Sequence, residues 1–150
     1  MKSVFDPVDV KELLARIDAL TPGSRPLWGK MNVAQMLAHC NVTYELVYDN
    51  THPKPNGFVR LLLKLFVKPS VVNDKPYRHN LRTAPVFLVT DEKSFAAEKG
   101  RLVGYVKKTL ELGQPYFEQR ESNSFGPLSG KEWNNTFYKH LDHHLRQFGA

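Results

Sequence analysis

The chain has 150 residues, 24% of them charged, and a formal charge of +6. That length suits one domain, 1–150, with a sizeable core; the lone cysteine, Cys40, excludes an internal disulfide. The longest apolar stretch, Phe58 to Val67, is interrupted by Arg60 and Lys64 and is too short to cross a bilayer; with no apolar run of signal-peptide type at the start, the expectation is a cytoplasmic protein with no membrane partner.

Asp6-Pro7 opens the first helix, aspartate as N-cap and proline at the first helical position. Val10, Leu13, Leu14, Ile17 and Leu20 form its buried stripe, and Thr21-Pro22-Gly23-Ser24 ends it. Trp28, in the short connector that follows, is expected to plug the end of the core. The second helix starts at Asn32, where Gln35 completes a capping box, and runs to about Tyr48. Met36, Cys40, Tyr44 and Val47 form its central stripe, with Val33 and Leu37 beside it. Cys40 is expected to be a buried, inert thiol. His39 lies roughly 100° from the middle of the stripe, near Gln35 and Thr43, and reads as a boundary residue that can meet a second neighbouring helix.

Residues 50–85 have a different character. Asn50, Pro53, Pro55, Asn56, Gly57, Pro69, Pro76 and Pro85 punctuate them, and Lys54, Arg60, Lys64, Lys68, Lys75, Arg78 and Arg82 stand against one acid, Asp74. This segment therefore carries the chain's whole net +6, which favours an anionic partner or substrate. Phe58 to Lys68 reads as a short amphipathic packing helix with Leu61, Leu62, Leu65 and Phe66 buried; a membrane-surface helix is the weaker reading. Pro69 to Pro85 reads as an extended basic loop, long enough to cross the fold or cover a site.

The third helix runs from Asp91 or Ser94 to Leu112 and stops at Gly113, with Phe95, Leu102, Val103, Val106 and Leu110 on its apolar side. Gly100 and Gly104 inside it suggest a close helix contact. Residues 114–128 read as a connector without strands. The last 22 residues form a helix with both ends marked: Ser129 and Glu132 make a capping box, and Gly149 is the stop.

Trp133, Phe137, Leu141, Leu145 and Phe148 recur at helical spacing in that last helix, and His140 and His144 fall inside the stripe, within roughly 40° of each other. Two imidazoles one turn apart on an inward face can hold one metal ion from the same side; two hydrogen-bonded core histidines are the other reading of the same spacing. Leu141 stands where an HExxH motif has its glutamate, which argues against the zinc-protease mechanism. His143 points toward the edge of the stripe. Tyr44, Trp133 and Tyr138 line a pocket or pack in the core. Nothing resembles a Ser/His/Asp relay.

Trp28 through Cys40, Phe125-Gly126-Pro127-Leu128, and Trp133 through Gly149 with its Lys-His-Leu-Asp-His-His-Leu-Arg-Gln-Phe-Gly ending resemble the DinB-like superfamily, in its branch of small bacterial proteins of unknown function. The resemblance covers essentially the whole chain. It implies an all-α fold, a four-helix bundle in up-down-down-up order with a long crossover between the second and third helices. That agrees with the helices, and with the long second connection, read from the sequence itself. A short link between the first two helices makes them antiparallel neighbours.

The resemblance further implies a divalent metal held by one histidine of the second helix and two of the fourth, which fall on His39, His140 and His144; His143 is an extra histidine, a weak candidate for a supporting or proton-carrying role. Zinc or nickel suits imidazole ligands. Three such ligands leave positions open in the manner of catalytic sites, and relatives in the superfamily resemble thiol-dependent transferases and isomerases and form homodimers. The expectation is a metal-dependent transferase or isomerase, or a hydrolase, acting on a small, anionic molecule. The alternative is a non-catalytic bundle that binds an anionic ligand or partner through the basic segment 54–82. No helix-turn-helix or aromatic-basic platform supports nucleic acid.

Overall fold

Local capping rules locate the long helices. The computed structural model describes residues 1–49 and 51–150, so Asn50, one of the punctuating residues, lies outside what is described. The chain is mostly helical, with one small sheet. Helix α1 spans Pro7–Ala19, and the Asp6 side chain accepts from the amides of Val8 and Asp9, satisfying donors the first turn leaves free. Helix α2 spans Val33–Tyr48 and starts with the reciprocal Asn32–Gln35 capping box. Val10, Leu13 and Ile17 of α1 and Met36, Leu37, Cys40 and Tyr44 of α2 are buried, as their spacing predicts.

The segment after α2 departs from its sequence reading. A continuous helical run contains α3 (Gly57–Leu62), a π-helical turn (Leu63–Val67) and α4 (Lys68–Val72). The chain from Pro69 is therefore helical as far as Val72 before it becomes a loop. Leu61, Leu62, Leu65 and Phe66, expected in the core, are exposed. An apolar stripe indicates that a face wants a partner, and none of the described residues covers this one. Docking on the long helices is by α4, where Asn135 donates to the carbonyl of Val72 and Lys68 pairs with Glu132; α3 is tied to the connector before the last helix through Arg60 and Glu121.

Helix α5 spans Phe95–Phe117 behind the Ser94 cap. Gly113, at φ 68°, interrupts it where the sequence places a stop, and one further turn follows. Gly100 and Gly104 face solvent with nothing near the position of a Cβ, so they mediate no close helix contact. The connector contains a hairpin that was not expected, β1 (Arg120–Ser122) against β2 (Gly126–Leu128), with Arg120 opposite Leu128 and Ser122 opposite Gly126. Two three-residue strands are too short for alternation to be legible. Helix α6, Gly130–Gln147, begins with the Ser129–Glu132 capping box. At its end Gly149 sits at φ 73° while Ala150 donates to the carbonyl of Leu145, a left-handed helix stop.

One core, built from Leu13, Ile17, Met36, Leu37, Leu102, Val106, Phe137 and Leu141 among others, is shared by α1, α2, α5 and α6. Helices α1 and α2 each pack on α5 and α6, but not appreciably on one another. This corrects the expectation that the first two helices are neighbours; the connector between them passes the C-terminal end of α6, where Leu27 donates to the carbonyl of Gln147. Contacts of α2 with α5 advance in the same sense along both: Asn41 meets Glu98, Glu45 meets Arg101, Tyr48 meets Thr109. Those of α2 with α6 run oppositely: His39 faces His144, Thr43 faces His140, Tyr44 faces Phe137. Val4 and Arg16, at the two ends of α1, meet Asn134 and Asp142 in order along α6. No described helix is long and apolar enough to cross a membrane.

Candidate metal centre

The opposed course of α2 and α6 brings one turn of each face to face. His39 extends from α2, and His140 and His144 from successive turns of α6. Their candidate ligand nitrogens all lie within 4.8 Å of one another, and Nε2 of His39 is 2.9 Å from Nε2 of His140. His39 is buried, not at a boundary, because α6 and the segment around Phe87 close over it.

Each ring is fixed through its other nitrogen. Nδ1 of His39 is 2.8 Å from the carbonyl oxygen of Phe87. A carbonyl can only accept, so Nδ1 carries the proton and Nε2 keeps its lone pair. Nδ1 of His144 is 2.8 Å from Oε1 of Gln147, and the amide nitrogen of that glutamine donates to the carbonyl of Trp28 at 2.7 Å. That second bond sets which way the amide faces, and so assigns the same tautomer to His144. Nδ1 of His140 lies 2.8 Å from the Thr43 hydroxyl, which can accept or donate.

All three imidazoles are held neutral. Burial lowers the pKa of His39 against the opposing bond to Phe87. Burial, then the neighbouring His144, His39 and His143, lowers that of His140 further. His144 falls to about 3, chiefly through burial and then through His39. His39 and His144 thus present what a divalent cation requires of histidine, a neutral imidazole with Nδ1 donating to an acceptor and Nε2 unprotonated; Nε2 of His140, 2.9 Å from the unprotonated Nε2 of His39, carries the proton between them, which an ion would displace. An ion held at about 2.1 Å by two nitrogens sets them about 3–3.4 Å apart, so a small parting of His39 and His140 accommodates one. The donor set fits a metal ion.

The segment after α4 covers this centre, as its length suggested. A short 3-10 turn, Pro85–Phe87, puts the Phe87 ring 5.4 Å from that of His39 and 5.6 Å from that of His140. Trp28 does not plug the core; half-buried, it stacks on His79 at 3.8 Å. His143 stands beside the three-histidine group, its ring edge-on to His144 at 5.0 Å and to Tyr77 at 5.8 Å. Burial and His79 keep it neutral too. A cavity of about 360 Å³ on the outer side of α6 is lined by Trp28, Tyr77, His79, Tyr138, Lys139 and His143.

Tyr138 thus borders a cavity, while Tyr44 and Trp133 are core residues. Cys40 turns away from the centre, with its thiol 3.7 Å from the Met36 sulfur and burial pushing its pKa up. The supporting groups Thr43, Phe87 and Gln147 were not legible as such. Gln147 is three residues beyond His144 and Thr43 four beyond His39, which is the only signal the sequence holds. The Phe87 carbonyl has none, since every residue has one. No protein-family model, no curated protein and no solved structure matches this chain.

Proposed function

We propose that the protein is a divalent-metal-dependent enzyme that holds its ion through His39, His140 and His144. The observation that carries this reading is the orientation of the three rings: each Nδ1 is tied to a partner, and the three candidate ligand nitrogens are left to converge. We further assign the chain to the DinB-like superfamily as a four-helix bundle of α1, α2, α5 and α6 in up-down-down-up order. The matching sense of the α2–α5 and α1–α6 contacts and the opposed sense of α2–α6 support that order. On this reading the run from α3 to Phe87 is the crossover.

Zinc or nickel is the expected ion, and it would supply Lewis acidity toward an oxygen or thiol of the substrate. The chain's own residues do the rest. Phe87 shields the centre on one side. Lys75, Arg78 and Arg82, in the segment that carries Tyr77 and His79, have no ion-pair partner among the described residues, and they attract a small anionic substrate. Neutral His143, beside the cavity, can accept a proton. A thiol-dependent transferase or isomerase in the cytoplasm is the favoured class, and hydrolysis is the competing one.

Elemental analysis of the purified protein tests the proposal. About one divalent ion per chain is expected, lost in His140→Ala and His144→Ala. A metal-free wild type whose stability neither substitution alters ends it. The second reading, a non-catalytic anion-binding protein, rests on the unpaired bases Lys54, Lys64, Lys75, Arg78 and Arg82. It requires salt-sensitive binding to polyanions by a metal-free chain, and a salt titration with no such binding removes it.

A further inference from the structure

The helical run of α3 and the π turn leaves an apolar face open to solvent. At helical spacing Phe58, Leu61, Leu62, Leu65 and Phe66 fall on one side, within about 140°. Phe58 is 71% exposed, Leu65 57% and Phe66 75%. Among the described residues, neither α3 nor the π turn packs appreciably on any of the four long helices. They are held from the other side, where Arg60 reaches Glu121 and the carbonyl of Ser122 on the hairpin, and at the α4 end, where Lys68 pairs with Glu132. The face is therefore presented by its anchors and does not arise from a frayed end.

The occupant is indicated by charge. The face lies inside the segment that carries the chain's net +6, and Lys54, Lys64, Lys75, Arg78 and Arg82 have no ion-pair partner among the described residues. A second copy of this chain docked face to face would bring two such segments together, against their mutual repulsion. Any homodimer of the kind the sequence resemblance implies then uses another face. An anionic bilayer surface satisfies both features at once: aromatic and leucine side chains enter the boundary between headgroups and acyl chains, and the lysines and arginines remain among the lipid phosphates.

We propose that Phe58, Leu61, Leu62, Leu65 and Phe66, with the bases of the same segment, form a docking site for the surface of an anionic lipid membrane. This takes up the weaker sequence reading of Phe58 to Lys68, a membrane-surface helix, in place of the expectation of no membrane partner, which rested on the lack of a run long enough to cross a bilayer. The docking is peripheral and reversible.

Co-sedimentation of the full chain with extruded vesicles tests this. Binding is expected with equal parts phosphatidylglycerol and phosphatidylcholine, about tenfold or more weaker with phosphatidylcholine alone, and weaker at 0.5 M than at 0.1 M salt. The doubly substituted Leu65→Glu, Phe66→Glu chain, altered only at exposed positions, is expected to lose about tenfold or more of the binding while keeping its helical circular dichroism. Lys64→Glu serves as a second variant with a smaller loss. Absence of binding to anionic vesicles, equal binding to neutral ones, or undiminished binding by the double variant overturns the proposal. So does a wild-type dimer that Leu65→Glu, Phe66→Glu dissolves, since the face would then belong to a second copy.

Discussion

At the scale of single residues, the centre depends on groups that touch no ion. Gln147 holds His144 and is itself held by the backbone of Trp28, and Thr43 holds His140. Removing such a partner typically costs ten- to a hundredfold in metal affinity. Gln147→Ala and Thr43→Val are therefore expected to weaken zinc binding by about that factor, measured by competition with a chelator of known affinity, while the chain remains folded. Affinities equal to wild type in both would show that ring orientation is set elsewhere. Protonation provides a second prediction at this scale. The three imidazoles have folded pKa values below the unfolded value of about 6.5. Below that pH the unfolded chain binds protons the folded chain refuses, so stability falls as pH falls, by about 1.4 kcal/mol per pH unit for each imidazole until its folded pKa is reached. For His144 that is about 3. Urea unfolding of metal-stripped protein between pH 7 and 4 is expected to show this slope, reduced in His144→Gln. Parallel pH profiles for the two proteins would contradict it.

Among the elements, α4 and the loop after it are fastened to α6 by two buried side chains, Asn135 and Lys139. Lys139 donates to the carbonyls of Ser70 and Asn73 and to the Asn73 side chain, at 2.7, 2.8 and 3.0 Å, and lies over the Tyr77 ring. Burial lowers its pKa to about 8. Lys139→Met leaves these acceptors without their donor, a loss of about 1–3 kcal/mol. The expected result is faster amide exchange across 68–84 with α1, α2 and α5 little changed; uniform loss of protection would mean that Lys139 supports the whole core instead. This clamp also marks where the sequence stops being legible. Caps and stripes identify α1, α2, α5 and α6 because hydrogen bonding and burial act within a few residues of one another, as at Asn32–Gln35 and Ser129–Glu132. The same pattern over Phe58–Phe66 says only that a face is apolar, and among the described residues nothing covers it. Nothing in the sequence marks Lys139, because its acceptors at Ser70 and Asn73 lie more than 60 residues away. His140 and His144 were legible from spacing, but His39 was placed with them only by the family resemblance, since its approach depends on how two distant helices face each other.

For the whole molecule, the candidate centre is a cross-link. His39 sits in the first third of the chain and His140 and His144 near its end, so an ion that binds all three joins α2 to α6 in the folded state alone. A ligand specific to the folded state stabilises it by RT ln(1 + [L]/Kd), about 2.7 kcal/mol at a hundred times Kd. For a domain of this size about 1 kcal/mol moves Tm by roughly 2–4 °C. Metal-stripped wild type is therefore expected to melt about 5–10 °C higher with zinc or nickel at that excess. His39→Ala leaves the α6 pair intact but removes the α2 ligand, so it should bind more weakly and lose most of the increase. His140→Ala, by breaking the pair, should lose it as well. Equal stabilisation of wild type and His39→Ala would confine any ion to α6 and separate the site from the packing of the molecule, because a ligand pair on one helix cannot hold two helices together.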